Sequence, residues 1–234
     1  MVNYQYAYAA WTFLFFIVWT AFYLWRKDVR KEMLFISILF GFGGPASELI
    51  YIQDWWQPLT LTGTAVGFED FFIAFFIAGV SSAIYEVVSE KRIRIKRAAL
   101  KNKNNENKLF LFFAFFLILL FFGSFYIFKI NSFYSSVLAF GLAAIIMYFK
   151  RRDLIIDSLL SGFFTLVVGI SIYFILSLIY PDFIQQFWYL KDSWFAKLIF
   201  GIPIAEYIWY FLAGAYIGPL YEFWKEGTLI DKKN

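Results

Sequence analysis

Four carboxylates sit where charge is rare. Glu48, Glu69, Asp70 and Glu206 each fall inside, or at the mouth of, a long apolar run. A carboxylate in hydrocarbon is costly, so an acid within a membrane span points to function by default. The chain has no His and no Cys. That removes zinc, haem, iron–sulfur and Cys- or His-dependent nucleophilic chemistry in their usual forms. Proton chemistry must then fall to Asp, Glu, Tyr or Lys. Neither a dinucleotide-binding glycine fingerprint nor a phosphate-binding loop is present, so no cofactor and no metal is expected. Gly43-Gly44-Pro45 precedes Glu48, and Gly201-Ile202-Pro203 precedes Glu206. Such residues are expected to thin or break the helix and bring backbone polar groups near the acids. The competing reading is structural, with the acids paired to Lys197 or to Tyr and Trp donors.

The elements that must carry these acids are membrane helices. The 234 residues are 62% hydrophobic, with 33 Phe, 16 Tyr and 9 Trp. A soluble domain averages nearer 45–50% apolar, and the surplus here needs lipid as solvent. Apolar runs place spans at about 6–25, 33–52, 66–88, 109–128, 132–149, 154–180 and 198–224. The expected class is an all-α membrane protein with about seven transmembrane helices, multi-pass in the cell membrane. The net charge of +4 reads as topology rather than as nucleic-acid binding. Of the 21 Lys and Arg, 18 fall in segments that a seven-span plan puts on one side, and Lys129, Lys191 and Lys197 fall on the other. The positive-inside rule then gives an outer N-terminus and a cytoplasmic C-terminus. The first apolar run lacks a basic stretch before it and reads as a retained span, not a cleaved signal. The segment Lys101–Lys108 reads as a solvated linker.

A repeat organises the spans. At an offset of 136, Asp70 meets Glu206, Phe75 meets Phe211, Tyr85 meets Tyr221 and Glu86 meets Glu222. At 125, Arg26-Lys27-Asp28 meets Arg151-Arg152-Asp153, and Glu32 meets Asp157. Each unit also has a Trp-bearing outer segment, Asp54-Trp55-Trp56 in one and Trp188-Tyr189-Leu190 in the other. The expected arrangement is three plus one plus three with parallel repeats: 1–90, a connecting region 91–131, and 132–234. Parallel repeats place a site at their interface. Counting about 1.5 Å per residue puts Glu48, Glu69, Asp70 and Glu206 in one layer, in the outer half of the bilayer. Glu86 and Glu222 fall at the cytoplasmic surface with Glu32, Asp153 and Asp157, where salt bridging to the basic loops is expected.

The stretch Pro203-Ile204-Ala205-Glu206-Tyr207, followed by Tyr221-Glu222-Phe223-Trp224, resembles the repeated motif of the integral-membrane lycopene cyclase domain. Gly67-Phe68-Glu69-Asp70-Phe71-Phe72 looks like its first-repeat copy, and Lys150-Arg151-Arg152-Asp153 with Asp157 looks like the family's basic lead-in to its second helix. The family motif is Pro-x-Glu-Glu or Pro-x-Glu-Asp, on paired small subunits or one fused chain. Here Gly67 replaces the Pro of the first copy and Ala205 the first Glu of the second. The resemblance implies a carotenoid end-group cyclase of the lycopene type, in carotenoid biosynthesis. An acid would protonate a terminal alkene, a carbocation would close a ring, and a base would remove a proton. A carboxylic acid in apolar surroundings suits the donor role, and aromatic faces suit the cation. It implies Glu206, Asp70, Glu69 and Glu48 as catalytic residues and Pro203, Tyr207, Trp55, Trp56 and Trp188 as substrate-binding residues. The implied substrate is a polyene or isoprenoid lipid reached from membrane lipids, with no nucleic acid. Homo-oligomers or partner carotenoid enzymes stay open. Two other classes compete: a small proton- or ion-coupled or SWEET-like transporter, and a non-catalytic carotenoid-binding protein. A retinal receptor would need a Lys in mid-span, and Lys197 stands only at the edge of the last span.

Overall fold

A computed structural model describes residues 3–95, 103–191 and 193–232. The chain runs α1 (Ala7–Trp25), α2 (Arg30–Asp54), α3 (Phe68–Val88), β1 (Lys91–Ile95), α4 (Lys103–Tyr126), α5 (Ser132–Lys150) and α6 (Ile155–Ile179). A short α7 (Phe183–Phe187), a hairpin of β2 (Leu198–Ile199) and β3 (Ile202–Pro203), α8 (Ile204–Ile217), α9 (Leu220–Lys225) and β4 (Gly227–Asp231) follow. Among the described residues, six helices are long and apolar enough to cross a membrane. This is a helical membrane protein. Phe42, Phe115, Phe149 and Leu178 point outward, between 63% and 76% exposed. Outward Phe and Leu of this kind suit a lipid surface, not water.

Three boundaries differ from the sequence reading. Residues 198–203 form the β2–β3 hairpin, so the last helix starts at Ile204. It then breaks between α8 and α9 at Gly218-Pro219, because Pro219 has no N–H to carry the ladder onward. By contrast, α2 runs unbroken through Pro45. The segment 91–108 is not all loop: Lys91–Ile95 is a strand and α4 begins at Lys103. The first residues of the expected linker, Lys101 and Asn102, lie outside the described residues.

α2 packs on α3 and α6 packs on α8, and small residues set how close each pair comes. A Cβ on Gly44 would land on the Asp70 carbonyl and the Ala74 methyl. In the other pair, a Cβ on Gly162 would press on the Phe211 carbonyl and the Ala215 methyl. Glycine is thus what lets each helix backbone approach its partner, as small residues do between membrane helices.

Two arginines tie together the end that carries β1 and β4, called here the strand-bearing end. Arg26 donates to the Asp28 carboxylate and to the carbonyls of Glu86 and Lys91. Arg151 donates to the Asp153 carboxylate and to the carbonyls of Glu222 and Gly227. β1 pairs antiparallel with β4, with Ile93 opposite Leu229 at the centre. Hydrogen bonding from Arg26 holds the Asp28 carboxyl below the usual aspartate range. This contribution is present at neutral pH and is lost in acid, as the pH falls from the ordinary aspartate range through the lower folded value.

A Gly44→Val chain should therefore unfold earlier. Overpacking costs about 1–3 kcal/mol, which for a chain of this size lowers Tm by about 3–10 °C. Thermal unfolding in detergent by intrinsic Trp fluorescence reads this, and an unchanged Tm would mean that α2 and α3 can part without loss.

Candidate active site

At the opposite end of the bundle from the β1–β4 pair, five helices converge on a small cavity. α1 contributes Tyr8 and Trp11, α2 contributes Glu48 and Tyr51, and α3 contributes Asp70 and Ile73. α6 adds Tyr173, and α8 adds Glu206 and Trp209. Three of the four expected acids thus share one space. All three are buried, Glu48 at 3% exposure, Asp70 at 2% and Glu206 at 4%.

Local sequence explains each placement. Asp70 and Glu206 occupy the first turns of α3 and α8, where free backbone N–H groups favour a carboxylate. The Asp70 side chain reaches back to accept from the Gly67 N–H at 2.7 Å. Its other oxygen accepts from the Tyr8 hydroxyl at 2.5 Å. Glu206 lies against the Tyr173 hydroxyl. Glu48 Oε1 has no hydrogen-bond partner among the described residues.

Glu69 is turned elsewhere. It is buried, and its Oε1 accepts from the Leu61 N–H at 2.6 Å, fastening the loop before α3. It does not line the cavity. Ala205, which lies at the sequence offset of 136 from Glu69, is fully buried in the core.

Of the expected substrate-binding residues, Trp55 and Trp56 line the cavity. Trp188 stands behind them, its ring 5.7 Å from that of Trp55, and its backbone bridges Trp56. Around it the Gln57 N–H donates to Phe187 and the Tyr189 N–H to Trp55, so the two Trp-bearing segments are hydrogen-bonded over the cavity. Pro203 precedes α8 and Tyr207 donates its hydroxyl to the Ile199 carbonyl, so both shape the hairpin rather than the cavity wall.

Several lining residues were missed from sequence: Tyr8, Trp11, Tyr51, Tyr173 and Trp209. Two signals pointed to them. Ala7, Tyr8, Trp11, Thr12 and Phe15 form the buried stripe of α1 at helical spacing. The offset of 125 that relates α2 to α6 puts Tyr173 in the place of Glu48.

A larger, apolar cavity of about 520 Å3 adjoins the polar one. The two share Gly44, Ser47, Tyr51, Ala74, Ile77 and Trp209. The second runs between α2 and α4, bounded by Phe40, Phe42, Leu117, Ile118, Phe121 and Phe140. Phe42 and Ile118 stand at its outer rim, 72% and 54% exposed. An apolar cavity with outward-facing residues at its rim therefore lies beside the one that holds the three acids.

The acids expected to salt-bridge at the strand-bearing end do something else. Asp153 does pair with Arg151, at 2.7 Å. Glu32, Glu86, Asp157 and Glu222 are instead buried together, none making a salt bridge among the described residues. The basic residues nearest to them, Arg26 and Arg151, are spent on Asp28, Asp153 and backbone carbonyls.

Comparison with known families adds the decisive observation: residues 131–224 match the family model described as Lycopene cyclase. The chain carries a lycopene cyclase family segment. It spans α5 to Trp224 in α9, and so includes Tyr173 and Glu206, whereas Glu48 and Asp70 lie before it. No curated protein and no solved structure matches the chain.

Tyr8→Phe tests the link between the lycopene cyclase segment and the helices before it. It removes the only hydroxyl that donates to Asp70 among the described residues and leaves a buried carboxyl oxygen without its donor. That costs about 1–3 kcal/mol, read as a Tm lowered by about 3–10 °C. A Tm equal to wild type would mean that Asp70 finds another donor.

Proposed function

We propose that the chain is an intramembrane carotenoid cyclase that closes a ring at the end of a linear, lycopene-type polyene. The observation that carries this reading is that three buried acids share one cavity, and a larger apolar cavity rimmed by outward-facing Phe42 and Ile118 adjoins it. A polyene is a long apolar rod with nothing to hydrogen-bond, and such an apolar cavity fits it. Aromatic faces of Trp11, Trp55, Trp56 and Trp209 surround the acids, and a carbocation gains from ring faces. The match to the lycopene cyclase family over residues 131–224 supports the same substrate class.

In this mechanism Glu206, in the family-matched segment, is the acid. Its carboxyl O–H proton passes to the terminal alkene carbon, leaving a tertiary cation on the neighbouring carbon. The next double bond of the chain attacks that cation, the new carbon–carbon bond closes a six-membered ring, and the positive charge moves into the ring. Asp70, which accepts from two donors as a carboxylate does, takes the ring proton. One proton enters and one leaves, so the product is an isomer and no redox partner is needed. Glu48, which lines the same cavity, holds or relays the proton that returns Glu206 to its acid form. Glu69 anchors the loop before α3.

The same proposal covers the arrangement. α8 and α9 together are read as a seventh span broken at Gly218-Pro219. The chain is read as two parallel repeats, α1–α3 and α5–α9, joined by α4. Matching contacts at the offsets 125 and 136 support this: Arg26 to the Glu86 carbonyl against Arg151 to the Glu222 carbonyl, and Arg26 to Lys91 against Arg151 to Gly227. β1 and β4 pair about their central residues, as two related strands astride a two-fold axis would. The strand-bearing end holds Arg26, Lys91, Arg92, Arg94, Arg151 and Lys232, and the positive-inside rule makes it cytoplasmic in the cell membrane.

Expression in cells that make lycopene, with pigments resolved by chromatography, tests the assignment. Glu206→Gln should cut cyclised product per mole of protein at least about 100-fold, the lower range for loss of a general acid. Asp70→Asn should fall comparably, while Glu69→Gln should retain ring formation. Undiminished cyclisation in Glu206→Gln would sink the acid role, and no cyclised pigment from wild type would sink the reading itself.

A further inference from the structure

The four acids at the strand-bearing end form a second centre that the cyclase chemistry does not use. Glu32 from α2, Glu86 from α3 and Glu222 from α9 place carboxylate oxygens within 4.8 Å of one another. Asp157 from α6 stands beside them, with one oxygen accepting from Ser161 at 3.1 Å. Exposure is 2%, 1%, 0% and 3% in that order. A second observation shows that the group is open to a ligand. Both oxygens of Glu32 and Oδ2 of Asp157 are buried with no hydrogen-bond partner among the described residues. Nature rarely leaves a buried polar oxygen so, because each costs the full loss of hydration.

The protein's own cations do not fill the need. Arg26 and Arg151 flank the group, yet their N–H donors go to Asp28, Asp153 and four backbone carbonyls. Four carboxyl groups crowded together cannot all carry charge without a counter-ion.

We propose that Glu32, Glu86 and Glu222 bind one hard divalent cation: Mg2+, Mn2+ or Ca2+. The donor set is all carboxylate oxygen, which these ions prefer, with no nitrogen or sulfur to favour zinc or copper. Oxygens bound at about 2.0–2.6 Å to one ion lie up to about 5 Å apart across it, and the spread of these three fits within that. Asp157 adds a further negative group beside them. Each ligand comes from a different helix, Glu32 and Glu86 before α4 and Glu222 after it. The ion is therefore a clamp between the two halves, far from the cavity that Glu206 lines. This site does not depend on the cyclase reading, and its test does not use cyclase activity.

The test uses the full chain purified in detergent. Metal content per chain is measured by plasma mass spectrometry, and Tm is followed after EDTA and then after MgCl2, MnCl2 or CaCl2 added singly. The expected result is a Tm lowered by about 5 °C or more in EDTA and restored by one of the three ions, as mass action requires of a ligand that binds only the folded state. The double variant Glu32→Gln, Glu222→Gln should lose that response, whereas Glu48→Gln in the cavity should keep it. If the double variant does not fold, about one ion per chain retained by wild type through dialysis, and removed by EDTA, carries the proposal. Wild type with no bound ion and no response to any of the three would overturn it, leaving shared protons as what neutralises the acids.

Discussion

Burying carboxyl groups is the constraint that the rest of this structure answers to. Among the described residues eight acids are buried, namely Glu32, Glu48, Glu69, Asp70, Glu86, Asp157, Glu206 and Glu222, against Arg26 as the one buried base. The surface around them is apolar and offers no water. Six of the eight occupy the first turn of a helix: Glu32, Glu69, Asp70, Asp157, Glu206 and Glu222. A helix start has unpaired N–H groups and the positive end of the dipole, so it is the least costly place for a negative group. Helices that alternate in direction present their starts at two levels. The acids accordingly fall into two clusters at opposite ends, and each end needs its own way of neutralising them.

The two ends solve this differently. At the cavity end hydroxyls and amides do the work: Tyr8 and Gly67 N–H for Asp70, Leu61 N–H for Glu69, Tyr173 for Glu206. Tyr donors keep the acids in place without adding a fixed charge, and the ring faces leave the space apolar. At the strand end no such donors reach Glu32, and two arginines are diverted to backbone carbonyls. The cavity also draws walls from both sides of α4, Asp70 and Glu48 from one and Tyr173 and Glu206 from the other. Neither half could build it alone, and the bonded Trp56 and Trp188 segments hold the halves in register above it.

Much of this was legible in the sequence because it rests on periodicity and charge. Apolar runs located the long helices, and the offset of 136 brought Asp70 and Glu206 to one place. What stayed hidden depended on which way a side chain turns within a turn of helix. Glu69 and Asp70 are adjacent, so about 100° of helix separates them, and one faces the loop while the other faces the cavity. Glu86 and Glu222 looked like surface partners for basic loops because helix rise puts them at the cytoplasmic surface. Their own backbone carbonyls, with those of Lys91 and Gly227, take Arg26 and Arg151 instead, which no charge count can foresee. Pro45 looked like a helix break, yet α2 continues through it, with the neighbouring Gly44 packed closely on α3.

This difference in facing bears on the chain's departure from the Pro-x-Glu-Glu pattern. The first acid of the pattern, represented by Glu69, serves a loop: it accepts from Leu61 across the residues that lead into α3. The second acid, represented by Asp70 and Glu206, meets the cavity. Ahead of α8 the connection is different: the β2–β3 hairpin leads into the helix and holds itself, with Leu198 paired to Pro203 and the Ile204 N–H donating to the Lys197 carbonyl at 2.9 Å. Ala205, which the proposed repeat aligns with Glu69, packs into the core. On that alignment the acid that faces the cavity is kept in both copies, and the acid that is absent is the one that fastens a loop in the first copy.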